Sequence, residues 1–309
     1  MYGRDFRKGF WQLADPKIWV ASTVPMAVAV ALAATAAPAA FHLGWCLLAF
    51  AGVYLIEIGK NAVNEYVDFS TGVDLGVDAA HRTPFSGGKK TIVDGLLSQG
   101  QTAWIALGAF GAAALIGLTV VFFREFNVLY VGLAGFGLAL LYSLPPFRLS
   151  YRGLGEVTVG VTFGPLVLCG MYLMLTHRLD ALPMVASLPL GALITNVLWI
   201  NQFPDYEADK AGNKRNWVVR MGKRRAVFWY GALFALAYLG FAATALVAGN
   251  AIWLLGLLSA PIAWRAVDNA RRHHQDIPRL IASNGATVQV YLCSAVAMIV
   301  AAVVDSLMC

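Results

Sequence analysis

The sequence predicts an all-α, polytopic membrane protein: nine transmembrane helices gathered into one bundle of the kind that a single membrane domain forms. Three observations carry that expectation. Hydrophobic residues fill 59% of the 309 positions and charged residues only 13%, about half the charged share of an ordinary soluble domain. The mean hydropathy is +0.65. The apolar residues also cluster into nine stretches, each near the roughly 20 residues a helix needs to cross lipid. None has the period-two alternation of a barrel wall, and only helices or closed barrels satisfy their backbone groups in lipid. No linker or low-complexity tract divides the chain, so residues 1–309 read as one membrane-embedded domain.

The first stretch, roughly 18–38, follows a basic lead of Arg4, Arg7, Lys8 and Lys17 and ends in "ATAAPAA". That ending resembles a signal cleavage site, but the apolar run is too long for a signal core and eight more follow, so it is expected to stay as a helix. The second stretch, 43–68, carries Glu57, Asn61, Asn64 and Asp68 at steps of four, three and four, which puts them on one helical stripe. Lys60 is placed to pair with Glu57. Such groups cost a few kcal/mol each in a span and normally face a protein interior or aqueous cavity.

A long polar insertion, 69–100, comes next. Gly72 is expected to end the helix and let Asp74, with Asp78 as a weaker candidate, turn back towards Asp68. The insertion also supplies His81, Arg82, Lys89 and Lys90. Spans three to five, roughly 101–123, 127–145 and 154–176, are apolar, with Arg148 and Arg152 between the last two. The sixth, 181–204, finishes in Asn201, Asp205 and Asp209 at four-residue steps. Pro204 predicts a local break near 200–204, and Glu207 is expected to point to solvent. A second insertion, 205–223, brings Lys210, Lys214 and Arg215. The last three spans are 224–248, 251–267 and 287–307, and Arg271, Arg272, His273, His274 and Arg279 fall in the loop before the ninth. The four Cys lie in or beside apolar segments without metal-type spacing and read as small core residues or an incidental terminal thiol.

The formal charge of +6 is of the sign a nucleic-acid partner needs, but the cations sort by loop instead. The N-terminus and the even-numbered loops hold nearly all of them, while the odd loops carry only Arg124 and Arg178. By the positive-inside rule the N-terminus and both large insertions are cytoplasmic and the C-terminus is on the other side. The bilayer is the expected partner, with no role for nucleic acid.

The chain is internally repetitive at one place. "NEYVDF" from residue 64 and "NQFPDY" from residue 201 match as N-x-x-x-D-aromatic, each closing an apolar span before a cation-rich loop. Spans two and six share an orientation, so the two acidic clusters can face each other across one cavity. Hard oxygen ligands of this kind suit Mg²⁺, which takes one or two carboxylates and leaves its other positions to water and substrate phosphates. Asp68, Asp74, Asp205 and Asp209 are the expected metal ligands, assisted by Asn64 and Asn201. Arg82, Lys89, Lys90, Lys210, Lys214 and Arg215 are candidates for neutralising a diphosphate. A metal-clamped diphosphate is a good leaving group, and a membrane site suits a long hydrocarbon on it.

These residues resemble a known family. "NEYVDFSTGVD" is similar to the first aspartate motif of the UbiA superfamily of intramembrane prenyltransferases, in the N-x-x-x-D-x-x-x-G-x-D form of its menaquinone-type members. "NQFPDYEADKAGNKRNWVVRMG" resembles the second motif, and "LYSLPPFRLSYRGLGEVTVGVTFGPL" (141–166) the segment joining helices four and five. Glu65, where many members have Asp, and Pro204 depart from the pattern. The resemblance implies a nine-helix fold, Mg²⁺ dependence, an allylic isoprenyl diphosphate as donor and an aromatic acceptor of the 1,4-dihydroxy-2-naphthoate kind. It supports Asn64, Asp68, Asp74, Asn201, Asp205 and Asp209 as site residues, with Asp68 and Asp205 central to catalysis. Tyr142 and Tyr151, in the third stretch, rank first among aromatics that could face an allylic cation, ahead of Tyr66, Phe163 and Trp199. Arg148 and Arg152 could bind an acceptor carboxylate, with Glu156 in the same pocket. Two alternatives stay open: a cyclase of the same superfamily that needs no acceptor, and an ion-coupled transporter, disfavoured because the acids gather at one face rather than at the midplane.

Overall fold

The computed structural model describes residues 5–74 and 89–308; Asp78, His81 and Arg82 lie outside the described residues. All its regular elements there are helical. Among the described residues eight helices are long and apolar enough to cross a membrane, and with the shorter apolar helix Val128–Leu141 the count is consistent with the nine expected.

The chain opens with the short α1 (Phe6–Ala14), whose first turn is capped by the Asp5 carboxylate accepting from Lys8 N. Pro16 separates it from α2 (Val20–Ala36). The carbonyls of Leu13 and Ala14, left open at the end of α1, each accept from Asn61 Nδ2 at 3.3 Å, so a polar residue of the second span pins the first helix. That second span is α3 (Leu43–Ser70). It packs along α4 (Gln99–Phe123), which starts at a capping box between Ser98 and Gln101. The next span, α5, is Val128–Leu141.

The fifth span has a fault in it. Helix α6 (Gly155–Val161) and helix α7 (Val167–Thr176) are joined by a π-helical turn, Thr162–Leu166, that contains Pro165. Proline has no N–H to continue the α-helical ladder, so the register slips by a residue. This span lies against α8 (Ala181–Asn201) with almost no gap: a Cβ on Gly164 would come within 2.8 Å of Gly191 Cα and 2.9 Å of Ser187 O. After α8 come two short helices, α9 (Tyr206–Ala211) and α10 (Trp217–Met221), then α11 (Lys223–Ala248), the 3₁₀ segment Ala251–Ser259 leading into α12 (Ala260–His273), and α13 (Ile277–Met308). The main core is formed by α2, α7, α8, α11 and α13 around Tyr172, Tyr230, Phe241, Trp253 and Tyr291.

Four boundaries differ from the sequence expectation. The fourth span stops at Leu141 and the sixth at Asn201, the eighth runs on to His273, and the ninth begins at Ile277. The last two differences put Arg271 and Arg272 in the final turn of α12 and Arg279 in the first turn of α13. Hydropathy missed residues 277–286 because polar side chains among them are buried and bonded across the bundle: Ser283 Oγ donates to Ala266 O at 2.9 Å and Asn284 Nδ2 to Asn201 Oδ1 at 2.8 Å.

The packing leaves a cavity of about 720 Å³. Its charged lining comes from α3, the segment at Asp74 and Lys89–Lys90, and the α8–α9 region, while α4, α5 and the π-helical span supply an apolar wall. On that wall Gly117, Gly132 and Gly135 face open space, since a Cβ on any of them would meet nothing within 4 Å.

Candidate active site

Helix α3 presents Glu57, Lys60, Asn61, Asn64 and Asp68 to the cavity. The expected Glu57–Lys60 pair is formed at 2.7 Å. Asn64 Nδ2 donates to Ser143 Oγ at 3.1 Å. Asp68, at the end of the stripe, is held from two sides: Tyr151 Oη donates to its Oδ1 at 2.5 Å and Lys214 Nζ approaches its Oδ2 at 3.3 Å. Past Gly72, whose φ of 81° few other residues adopt, the chain turns and brings Asp74 into the same wall. Its Oδ1 accepts from Lys90 Nζ at 2.6 Å.

The second motif reaches the cavity by a different route. Helix α8 ends at Asn201, residues 202–205 form a turn around Pro204, and α9 restarts at Tyr206. Asn201, Asp205 and Asp209 therefore do not lie along one continuous helix, yet all three line the cavity. Asp209 is buried, with Asn216 Nδ2 donating to its Oδ2 at 2.7 Å and Lys214 Nζ at 3.9 Å from its Oδ1. Glu207 is exposed, as its sequence position suggested.

The structure thus gathers Asn64, Asp68, Asp74, Lys89, Lys90, Tyr142, Asn201, Asp205, Asp209 and Lys214 around one cavity, with Phe163 on its apolar wall. Other expected residues fall outside that wall. Lys210 is exposed with its ammonium 5.9 Å from the Tyr206 ring centroid, and Arg215 is exposed with Nε donating to Asn213 Oδ1 at 2.9 Å. Arg152 donates to Pro146 O at 2.7 Å on the surface, and the Arg148 guanidinium stands 5.6 Å from the Tyr151 ring centroid. Among the described residues the cavity wall includes neither arginine. Tyr151 does not line it either; it is buried, and its hydroxyl donates to Asp68 Oδ1. Trp199 is in the core, its Nε1 bonded to Ala226 O at 3.0 Å, and Tyr66 is 40% exposed. Glu156 accepts from Gln202 Nε2 and Trp217 N, both at 2.9 Å, and ties the fifth span to the second motif.

Three supporting residues had no role assigned from the sequence, although Glu65 stands inside the first motif as a departure from its pattern. Glu65 is buried and accepts from Lys90 N, Thr91 Oγ1 and Ile92 N, each at 3.0 Å, which fixes the segment that carries Lys89 and Lys90. Asn216 orients Asp209 while its Oδ1 caps α10 by accepting from Val219 N at 2.9 Å. Ser143 orients Asn64. The Glu65 departure was the one signal available; Asn216 and Ser143 gave none.

Charge is crowded at this end. Burial pushes the Asp74 carboxyl up to about 6, against the pull of Lys90, and Asp68 and Glu65 add to the rise. Burial likewise pushes Asp209 up to about 7, with Asp205 and Asp68 adding to it and Lys214 opposing. Burial alone would lower the Lys214 ammonium, but Asp68 and Asp209 outweigh it and hold its pKa well above the ordinary value. Among the described residues no three His, Cys, Asp or Glu side chains converge on a point where they could hold an ion by themselves. Mg²⁺ needs only one or two carboxylates when substrate phosphates complete its shell. The donor set fits that use: buried hard oxygens of both motifs, including an Asp74 Oδ2 with no hydrogen-bond partner among the described residues, in a cluster a cation would relieve.

Comparison with known proteins agrees with this geometry. Residues 22–285 match the UbiA prenyltransferase family. A protein of Mycobacterium tuberculosis (strain ATCC 25618 / H37Rv) named 1,4-dihydroxy-2-naphthoate octaprenyltransferase is 31% identical over 81% of this chain and 83% of its own. One of the same name from Bacillus subtilis (strain 168) is 26% identical over 88% of this chain and 85% of its own. Among solved structures, a UbiA homolog from Archaeoglobus fulgidus bound to GPP and Mg²⁺ superposes with a TM-score of 0.65 at 15% identity, covering 94% of this chain and 99% of that one. The apo UbiA homolog from Aeropyrum pernix K1 gives 0.68 at 17% identity, covering 91% and 97%. With two acidic motifs meeting in one membrane cavity and a sequence match over most of its length, the chain belongs to the UbiA prenyltransferase family, integral membrane enzymes that transfer alkyl groups.

Proposed function

We propose that the protein transfers an isoprenyl chain from an allylic isoprenyl diphosphate to an aromatic acceptor of the 1,4-dihydroxy-2-naphthoate kind, with Mg²⁺ as cofactor. The observation that carries this reading is one cavity that holds both acidic motifs and has a largely apolar wall along α4, α5 and the fifth span. The relatives' names point to the naphthoate acceptor, and the titles of the solved neighbours to isoprenyl diphosphates with Mg²⁺.

Asp68 and Asp74 from the first motif and Asp205 and Asp209 from the second would hold Mg²⁺, which neutralises charge developing on the diphosphate as it leaves. Lys90 and Lys214, now paired with Asp74 and Asp68, have donors to turn towards phosphate oxygens once the carboxylates have another partner. The hydrocarbon lies along the wall formed by α4, α5 and the fifth span, which keeps water from the allylic carbon. The bond between that carbon and the diphosphate oxygen breaks with both electrons going to the diphosphate. An electron-rich ring carbon of the acceptor then forms the new C–C bond and gives up its proton to an oxygen of the released diphosphate. Tyr142 and Phe163 line the cavity where ring faces can stabilise the allylic cation. The cation rule for loops supports a cytoplasmic position of the motif end.

Incubating purified protein with Mg²⁺, a set of isoprenyl diphosphates and a panel of aromatic acceptors, with products identified by mass, tests the reading. Asp68→Ala and Asp205→Ala are each expected to abolish turnover while the protein elutes as the folded species. Near-normal activity in either would remove the proposed metal roles. Cyclic hydrocarbon formed from donor alone would replace transfer with cyclisation.

A further inference from the structure

Two helical turns from Asp68, about 12 Å of rise along α3, the same cavity holds a second ionic group. Lys60 Nζ meets Glu57 Oε2 at 2.7 Å and stands 5.3 Å from the centroid of the Phe163 ring. The two partners are unequal. Glu57 is 2% exposed and its Oε1 has no hydrogen-bond partner, whereas the Lys60 side chain retains 22% of its surface. A buried ion pair in a span is costly, and a pair needed only as glue between helices would have no reason to face a chamber.

The acids of the motif end have their own cations, Lys90 on Asp74 and Lys214 on Asp68. Lys60 is therefore not needed to neutralise them. Its surroundings differ as well. Phe163 and Thr162 come from the π-helical turn, both line the cavity, and Thr162 Oγ1 has no hydrogen-bond partner. A cation, a ring face and an uncommitted hydroxyl beside apolar space suit a flat, anionic, hydroxylated ring. An ammonium has three N–H donors, and Glu57 engages one.

We propose that Lys60, held in place by Glu57, binds the carboxylate of the aromatic acceptor and so selects carboxylated rings, with the ring laid against Phe163. The inference rests on the acceptor reading above. The separation from Asp68 leaves room between them for the diphosphate and its allylic carbon, so a ring anchored at Lys60 presents its edge to that carbon.

The test measures acceptor and donor KM for wild type, Lys60→Arg, Lys60→Met and the double variant Glu57→Gln/Lys60→Met, using 1,4-dihydroxy-2-naphthoate and the same dihydroxy ring without its carboxylate. The double variant is included because Lys60→Met alone leaves a buried carboxylate unpaired. Removing a charge-assisted contact is expected to raise the KM for the carboxylated acceptor roughly ten- to a hundred-fold in the double variant. Donor KM should hold, Lys60→Arg should restore much of the loss, and the ring without carboxylate should react equally with wild type and double variant. Equal losses with both rings would overturn the proposal, and so would a loss confined to the donor, which would put Lys60 on the diphosphate. If wild type prenylates other aromatics but no carboxylated ring, the acceptor reading fails and Lys60's role with it.

Discussion

Replacing Tyr151 with Phe separates two roles that the sequence leaves superposed. The ring could face an allylic cation, or the hydroxyl could hold Asp68. In the structure the hydroxyl donates to Asp68 Oδ1 at 2.5 Å and shares a 3.0 Å bond with Thr71 Oγ1. Thr71 would not be stranded by the change, because its hydroxyl already bonds Val67 O at 2.9 Å. Asp68 would keep Lys214 at 3.3 Å and lose its shortest bond. A hydrogen bond to a charged group is worth about 1.5–3 kcal/mol net, which predicts a fall in kcat/KM for the donor of roughly 10- to 150-fold. Acceptor KM should not move, since Tyr151 is not in the cavity wall. The assay is steady-state turnover with the donor varied at saturating acceptor and at several Mg²⁺ concentrations; the loss should shrink as Mg²⁺ rises, because a tighter-filled metal site restores the orientation of Asp68. Phe preserves the ring, so wild-type kinetics would refute the positioning role. A loss far beyond a thousandfold, insensitive to Mg²⁺, would refute it in the other direction and put the hydroxyl on the reacting atoms.

Two further outcomes are expected. Asp74 and Asp209 are raised to about 6 and about 7 without metal, so their folded forms hold protons more tightly than the unfolded chain does; metal-free stability should fall as pH rises through 6 to 7, and added Mg²⁺ should raise the Tm more at pH 8 than at pH 5.5. A Mg²⁺ shift equal at both pH values would contradict this. Glu65→Gln removes the charge from a carboxylate that accepts three bonds from residues 90–92 and should cost about 2–3 kcal/mol, seen as a lower Tm in detergent and faster proteolysis near Lys89 and Lys90; unchanged values for both would show that this segment is held by something else.

Composition was enough for the spans, because lipid allows so few solutions to a chain this apolar. Boundaries were another matter wherever polar groups are satisfied by distant partners: Ser283 and Asn284 hid the first turns of α13 by bonding Ala266 and Asn201. The stripe of the first motif was legible since residues three and four apart on a continuous helix share a face, whereas Asn201, Asp205 and Asp209 reach the cavity across a turn that helical spacing does not describe. Pro204 was legible as a local break. What distance in sequence concealed was the support: Tyr151 and Lys214 reach Asp68 across 83 and 146 positions, and no periodicity links them. The same limit hid the partners of Arg148 and Arg152, the Tyr151 ring and the Pro146 carbonyl.

The contact of Gly164 with Gly191 has a consequence for how the enzyme can be altered. Backbone meets backbone there, so the span bearing Phe163 cannot be pushed outward and nothing larger can be inserted at the seam without parting α8 from it. On α4 and α5, by contrast, Gly117, Gly132 and Gly135 line the cavity and face empty space. Mutational tolerance is therefore lopsided: side chains can grow from α4 and α5 into the chamber, whereas the seam between the fifth span and α8 admits none.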